Sequence, residues 1–266
     1  MAVHPTAIVD PGADLGEGVT IGPCAVVEGQ TEIGTRCEIR AHATVKRFTT
    51  LGTDNTVHEG AVLGGEPQDR AFTGAESRLV IGDRNRVREG VTIHRSTTSG
   101  GATIVGSDCF LMANAHVAHD NRLGDHVILA NNVALAGHVK IADRAFLGGY
   151  AGAHQFCRIG RLAMIGGLSK VVQDCLPFVV TDGNPARACG LNVVGLRRAG
   201  VGATQLRTLK EAYRLLVRAG LPLEAALEGM AALDDPLVEE MIAFVKGSKR
   251  GFAHTATSPR GVAGEP

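Results

Sequence analysis

VGSDCFLMANAHVAHDNRLGDHVILANNVAL, residues 105–135, sets Val105, Leu111, Val117, Leu123, Leu129 and Leu135 six residues apart. An amphipathic helix repeats near 3.6 residues and a half-buried strand near two, so neither produces this beat. A short strand followed by a tight corner does. Extended outward from Val9 to Val171, the series of Val, Ile and Leu is broken only at Asp69, Ala75, Ser99 and Ala153. Three six-residue units close a triangular coil, and successive coils stack at the ~4.8 Å spacing of neighbouring strands. Gly follows the aliphatic residue at Gly16, Gly22, Gly34, Gly52, Gly82 and Gly106, and a small residue stands two before it at Ala7, Ala13, Ala25 and Ala43. Both suit bends where a bulky Cβ would clash. The period predicts a parallel β-helix over residues 7 to 176 and leaves its hand open.

Composition agrees with repetition. Aromatic residues make up 4% of the chain, Trp is absent and Gly numbers 35, so the core must be built from Val, Ile, Leu and Ala. Lys plus Arg equals Asp plus Glu at 27 each, which gives no overall field to recruit nucleic acid or an anionic membrane. The six cysteines (Cys24, Cys37, Cys109, Cys157, Cys175, Cys189) form no C-x-x-C pair and read as reduced, buried thiols. The amino terminus has no basic segment followed by an apolar run, and no stretch nears the ~18 apolar residues that span a bilayer. A cytoplasmic protein without membrane insertion is expected.

Two stretches leave the beat: residues 66 to 78 (EPQDRAFTGAESR) and 97 to 102 (TTSGGA). They read as excursions from the coil. The longer is the better candidate for function, and the shorter reads equally as a bland surface loop. After Val171 turn residues mark the exit from the solenoid. Helical spacing follows at Leu206, Leu209, Tyr213 and Leu216 with Gly220 as a stop, then at Leu223, Leu227 and Met230, then from Leu237 to Val245. The expected organisation is a β-helix over 1–190, a helical cap over 191–250 and an unstructured tail over 251–266.

Counted in coils from Val105, His119, His138 and His154 fall on one edge in three consecutive coils. Gln155 shares the column of His119, with Gly137 between them, and Asp120 lies in the column of His138. Solvated corner histidines are the plainest reading of any one of them. Three imidazoles also form a common zinc set, as in a metal-dependent hydratase. The third reading is general base catalysis: a neutral imidazole takes the proton of an alcohol as it attacks a thioester, and an adjacent carboxylate fixes its tautomer. On that reading His119 and Asp120 are the pair, and the Gly137 amide can donate to the oxyanion.

The motifs NAHVAHD, ILANNVALAGHV, AGAHQFCRIG, GNPARACGLNVVGLRR and IGDRNRVREGVTIHRST together resemble the UDP-N-acetylglucosamine O-acyltransferase family of lipid A biosynthesis, over nearly the whole chain. The resemblance implies a left-handed β-helix with a carboxyl-terminal helical cap. It also implies a homotrimer with active sites in clefts between the β-helices of neighbouring copies, needing no cofactor and no metal. The reaction implied is transfer of an acyl chain, usually 3-hydroxylated, from acyl carrier protein to the sugar 3-hydroxyl of a UDP-sugar. His119 is then the base, Asp120 its orienting partner and Gly137 the oxyanion donor. Asp69, His116, His138, His154, Gln155, Asn192 and Arg198 match substrate-contacting positions, and Gly167 matches the acyl-chain ruler, where Gly leaves room for a longer chain.

Three positions depart from the family pattern. Ala71 replaces a usual Lys beside Arg70, Val194 a usual Glu and Ala199 a usual Arg. They bear on nucleotide affinity and on the choice between UDP-N-acetylglucosamine and its 3-amino analogue. The later N-acyltransferase of the pathway shares the repeats but carries an additional amino-terminal domain, whereas here the hexads begin at residue 7. Acyl carrier protein is strongly acidic, so a local basic surface is expected near the site, with Arg158, Arg161 and Lys170 as candidates.

Overall fold

The computed structural model describes residues 2–254. Its coil has three parallel faces. Thr20–Ile21, Ile128–Leu129 and Met164–Ile165 belong to the first, Val26–Val27, His116–Val117 and Lys170–Val171 to the second, and Glu32–Ile33, Arg122–Leu123 and Arg158–Ile159 to the third. The chain visits the faces in turn, so every third strand pairs in register, as in Val117↔Leu135 and Leu135↔Ala153 on the second face. Coiling begins earlier than the hexads suggest, because Ala2–Val3 already pairs with Thr20–Ile21.

Most strands are two residues long, with one side chain outward and the aliphatic one inward. His116 faces out while Val117 is fully buried. The alanines two before the aliphatic residue also point inward: Ala25, Ala43, Ala61 and Ala115 are wholly buried. They narrow the core near each corner rather than form the bend. The bend itself is made by the residue three after the aliphatic one, which takes a left-handed φ near +60° at Cys24, Asp120, His138 and Phe156. The glycines after the aliphatic residue serve a different need. A Cβ on Gly34 would lie 2.5 Å from the Gly52 carbonyl oxygen, and one on Gly22 would lie 2.8 Å from the Ala41 nitrogen. Coils touch backbone to backbone there.

Beyond the last coil, Val179–Gly183 and Ala186–Leu191 form an antiparallel hairpin that the turn-rich sequence did not announce. A short helix α1 (Val193–Arg198) follows, also unannounced, capped by the Asn192 side chain, which accepts from the Gly195 N–H at 2.9 Å. Then come α2 (Ala203–Tyr213), a π-helical turn over Arg214–Arg218, α3 (Leu223–Ala231) and α4 (Pro236–Lys246). The expected single helix through Leu216 therefore loosens into a π-turn before Gly220, whose φ is +65°. Helix residues Leu209, Met230, Val238 and Met241 pack with Leu162, Leu176, Phe178 and Ala188 into a second core at the end of the coil.

Two of the residues expected to receive an acidic partner are used inside the molecule. Arg158 pairs with the buried Asp174 at 2.8 Å, donates to the Phe244 carbonyl and stacks on the Phe244 ring; Arg161 pairs with Glu240 at 2.6 Å. They lock coil to cap. The segment expected to lose structure from Gly251 remains docked through His254: Phe252 and Ala253 are buried, and the Ala253 N–H donates to the Asp174 carbonyl at 2.9 Å. Residues 255–266 of that expected tail lie outside the described residues. Of the cysteines, Cys37, Cys109, Cys157 and Cys175 are buried as expected, whereas Cys24 and Cys189 are exposed.

Candidate active site

The corner between the second and third faces carries the expected cluster. His119 precedes the left-handed Asp120, and the next coil places Gly137 and the left-handed His138 in the same columns. Stacking is direct, with the His138 N–H donating to the His119 carbonyl at 3.1 Å. His119 Nδ1 lies 2.8 Å from Asp120 Oδ2, and His138 Nε2 lies 3.7 Å from the same oxygen. An ionised carboxylate only accepts, so the His119 Nδ1 carries a proton, and in the neutral form of the ring this leaves the lone pair on Nε2. That nitrogen faces Gly137: a Cβ added there would come within 2.7 Å of it. Among the described residues the Gly137 N–H donates to no other group, as at the same place in other turns.

The carboxylate is held by more than the histidine. Asp120 Oδ1 accepts from the Ser96 hydroxyl, and Oδ2 accepts from the Thr97 hydroxyl at 2.6 Å and the Thr97 N–H at 3.2 Å. The Asp120 N–H donates to Thr103 Oγ1 at 2.8 Å. Burial opposes its charge, but the donations from Ser96, Thr97 and His119 outweigh this and bring its pKa down to about 2. The shorter excursion, which reads equally as a surface loop, thus belongs to the site. Sequence reasoning missed Ser96 and Thr97 in the polar loop and Thr103 in the buried strand after it, because hydroxyls carry no periodic signal.

On the second face lies a groove of about 700 Å³ lined by Gln68, His116, His119, Gly137, His154, Gln155, Leu168 and Lys170. His116 accepts or donates at Nδ1 with Thr92 Oγ1, 2.7 Å away, and its ring meets that of the buried His94 edge-on at 4.9 Å. Desolvation, reinforced by neighbouring imidazoles, lowers the pKa of both and takes His94 to about 4. His154 and Gln155 stand exposed on the rim, where Arg250 of the carboxyl-terminal segment reaches within 3.5 Å of His154 Nδ1. Sequence reasoning missed Arg250 as well. The three histidines do not meet at one point: His119, Asp120 and His138 bring their ligand atoms within 4.8 Å of one another, without His154. The three-imidazole zinc arrangement is not formed.

Around the corner, His138 stacks on Phe156 at 4.7 Å and faces a second cleft lined by Arg122, Lys140, Arg158, Lys249 and Arg250. The longer excursion supplies Gln68 to the groove, while the Asp69 carboxylate turns to its own loop and accepts from the Ala71 N–H at 2.8 Å. That excursion is pinned by Arg95, buried with its guanidinium between the Phe48 and Phe72 rings at 5.4 and 5.3 Å. Gly167 is exposed beside the Gly149 backbone one coil below. Asn192 stands elsewhere. Its side chain donates to the Leu162 carbonyl at the corner between the third and first faces, and Arg198 is exposed at the end of α1. Within one chain, then, His119 and Asn192 occupy different edges of the prism.

Residues 174–253 match the family described as Udp N-acetylglucosamine O-acyltransferase, Domain 2, and residues 12–47 match the bacterial transferase hexapeptide repeats. An acyl-[acyl-carrier-protein]--UDP-N-acetylglucosamine O-acyltransferase of Verminephrobacter eiseniae (strain EF01-2) is 48% identical over 232 residues, covering 87% of this chain and 88% of that protein. The crystal structure of the UDP-N-acetylglucosamine O-acyltransferase from Moraxella catarrhalis RH4 is similar with a TM-score of 0.93 at 41% identity, covering 96% of this chain and 100% of that one. That from Bacteroides fragilis 9343 gives 0.93 at 36% identity, covering 94% and 99%. The coil is accordingly the left-handed parallel β-helix of these neighbours, with its helical carboxyl-terminal region. With a sequence relative at 48% identity, whole-length structural neighbours and a matching terminal region, the chain belongs to the UDP-N-acetylglucosamine O-acyltransferase family.

Proposed function

We infer that the protein transfers an acyl chain from acyl carrier protein to the 3-hydroxyl of UDP-N-acetylglucosamine, with His119 as general base. The observation that carries this reading is the His119–Asp120 pair set against the Gly137 amide on an open groove. His119 Nε2 takes the proton of the sugar hydroxyl as its oxygen attacks the thioester carbonyl. The Gly137 N–H donates to the oxyanion that develops, and Asp120 stabilises the imidazolium. Collapse of the tetrahedral intermediate releases the carrier thiol, which takes back the proton. His116, His138, His154 and Gln155 surround the sugar, Asp69, Asn192 and Arg198 serve the nucleotide, and Gly167 leaves the acyl groove open to a longer chain.

The split between edges supports a homotrimer, because Asn192 and Arg198 of one copy are then available to the groove of the next. An outward apolar column on the first face, Phe110, Ile128, Phe146 and Met164, is in register over four coils and suits burial against another copy. We take residues 1–190 as the acyltransferase unit, 191–250 as its cap and the cytoplasm as its place. No helix of the described residues is long and apolar enough to cross a membrane. Lys170 on the groove and the Arg122, Lys140, Lys249 and Arg250 cleft offer the acidic carrier its countercharge. The test is transfer from 3-hydroxyacyl carrier proteins of several lengths to UDP-N-acetylglucosamine or its 3-amino analogue, by wild type and His119→Ala. Transfer lost in the variant supports the reading and names the sugar; a folded wild type idle on both sugars removes it.

A further inference from the structure

Ser96 joins three parts of the molecule. Its hydroxyl donates to Asp120 Oδ1 and accepts from the Thr98 N–H at 3.0 Å, while its carbonyl accepts from the Ser77 hydroxyl at the end of the longer excursion. Ser96 and Ser77 are fully buried. Room for the hydroxyl is made by Gly101, where a Cβ would lie 2.7 Å from Ser96 Oγ, and the loop turns at Gly100 with φ +69°. Thr97 takes the other carboxylate oxygen with both its hydroxyl and its N–H. The carboxylate is therefore gripped at both ends. This matters because Oδ2 has two imidazoles within reach, His119 at 2.8 Å and His138 at 3.7 Å, whose rings are nearly perpendicular.

We propose that Ser96 and Thr97 are positioning residues for acyl transfer: gripping one oxygen each, they aim the Asp120 carboxylate at His119 Nδ1 rather than at His138, and so keep the His119 Nε2 lone pair on the Gly137 side. The role rests on His119 acting as the base. A carboxylate without these donors turns about its own Cβ–Cγ bond and is shared between the two rings. His119 then spends part of its time with the proton on Nε2, where it cannot accept one from the sugar. Acyl transfer slows while the groove that binds both substrates keeps its shape, since neither hydroxyl faces it.

The test compares wild type with Ser96→Ala, Thr97→Val, the double variant and the hydroxyl-keeping pair Ser96→Thr and Thr97→Ser. The double variant is expected to lose about 10- to 100-fold in kcat with both KM values within about 2-fold, by analogy with a misaimed catalytic group. The hydroxyl-keeping variants stay within about 3-fold of wild type. Nitrogen-15 spectra of the imidazoles, taken without substrate, report His119 protonated on Nδ1 in wild type and mixed in the double variant. Because that readout needs no turnover, an idle wild type counts against acyl transfer and leaves the spectra to decide the positioning role. Should the double variant misfold, the partly exposed Thr97→Val carries the same comparison. A variant lacking both hydroxyls that keeps wild-type kcat, or loses it with the His119 tautomer unchanged, overturns the proposal.

Discussion

A Cβ placed on Gly137 would stand 2.5 Å from His119 Cε1, so the base of one coil rests directly against the backbone of the next. Gly137→Ala must push the ring off its aim and shade the amide. The backbone there is not left-handed, so the cost to the fold is that of overpacking against the ring, about 1–3 kcal/mol. Catalysis loses more. The expected fall in kcat is about 100-fold, as for a displaced catalytic group, measured beside a thermal melt. Wild-type turnover in the alanine variant would mean that the imidazole works from another position.

Asp120 carries an acid signature. Its folded pKa of about 2 lies below the unfolded 3.8, so its contribution to stability is fully present above about pH 4 and is lost as the pH falls toward 2. The whole effect is about 2 kcal/mol. Urea midpoints at pH 5 and pH 3 should separate in wild type, and Asp120→Asn should narrow that separation. The same variant should turn over at least about 100-fold more slowly at pH 7, because an amide can hold the wrong tautomer.

His94 predicts a second window. Burial first, then His116 and His119, bring its pKa from 6.5 to about 4, so the unfolded chain binds its proton earlier. Stability due to the neutral ring is present above about pH 6.5 and is lost as the pH falls to 4, by up to about 3 kcal/mol. In His94→Gln the slope of stability against pH between 6.5 and 4 should flatten, read from denaturant midpoints across that range. An unchanged slope would show that other groups set it.

Arg95 is the pin of the longer excursion. Arg95→Met keeps much of its bulk between Phe48 and Phe72 but loses the guanidinium stacking, worth on the order of 1–2 kcal/mol when desolvated. The excursion should open more often. Limited trypsin digestion should then cut faster after the exposed Arg70, and the KM for the sugar nucleotide should rise several-fold with kcat little changed. Cutting at the wild-type rate would assign the pinning to other contacts.

The coil was legible because one buried position in six leaves a mark that no helix or flat strand imitates, and because Val117, Leu135 and Val171 do in the structure what their spacing predicts. The histidine columns followed from the same arithmetic. What stayed hidden lacks a period. Whether His154 turns toward Asp120 or toward Arg250 depends on a segment 96 residues away. The hairpin and α1 are set by packing on Phe178 and by the Asn192 cap rather than by pattern, and Ser96 counts only because Gly101 makes room for its hydroxyl.

Along the third face, ladder partners are separated by 18 residues at Ile33↔Leu51, 30 at Leu51↔Ile81, 24 at Ile81↔Val105 and 18 again at Val105↔Leu123. Each pairing closes a short loop of chain, so the barrier that slows other parallel sheets is low and folding can spread turn by turn. Closure entropy grows only with the logarithm of loop length, and lengthening one turn from 18 to 30 residues costs about 0.5 kcal/mol. A solenoid can therefore acquire the loops that aim its carboxylate and shelter its groove without disturbing the turns on either side, which makes chemistry on this scaffold an insertion rather than a redesign.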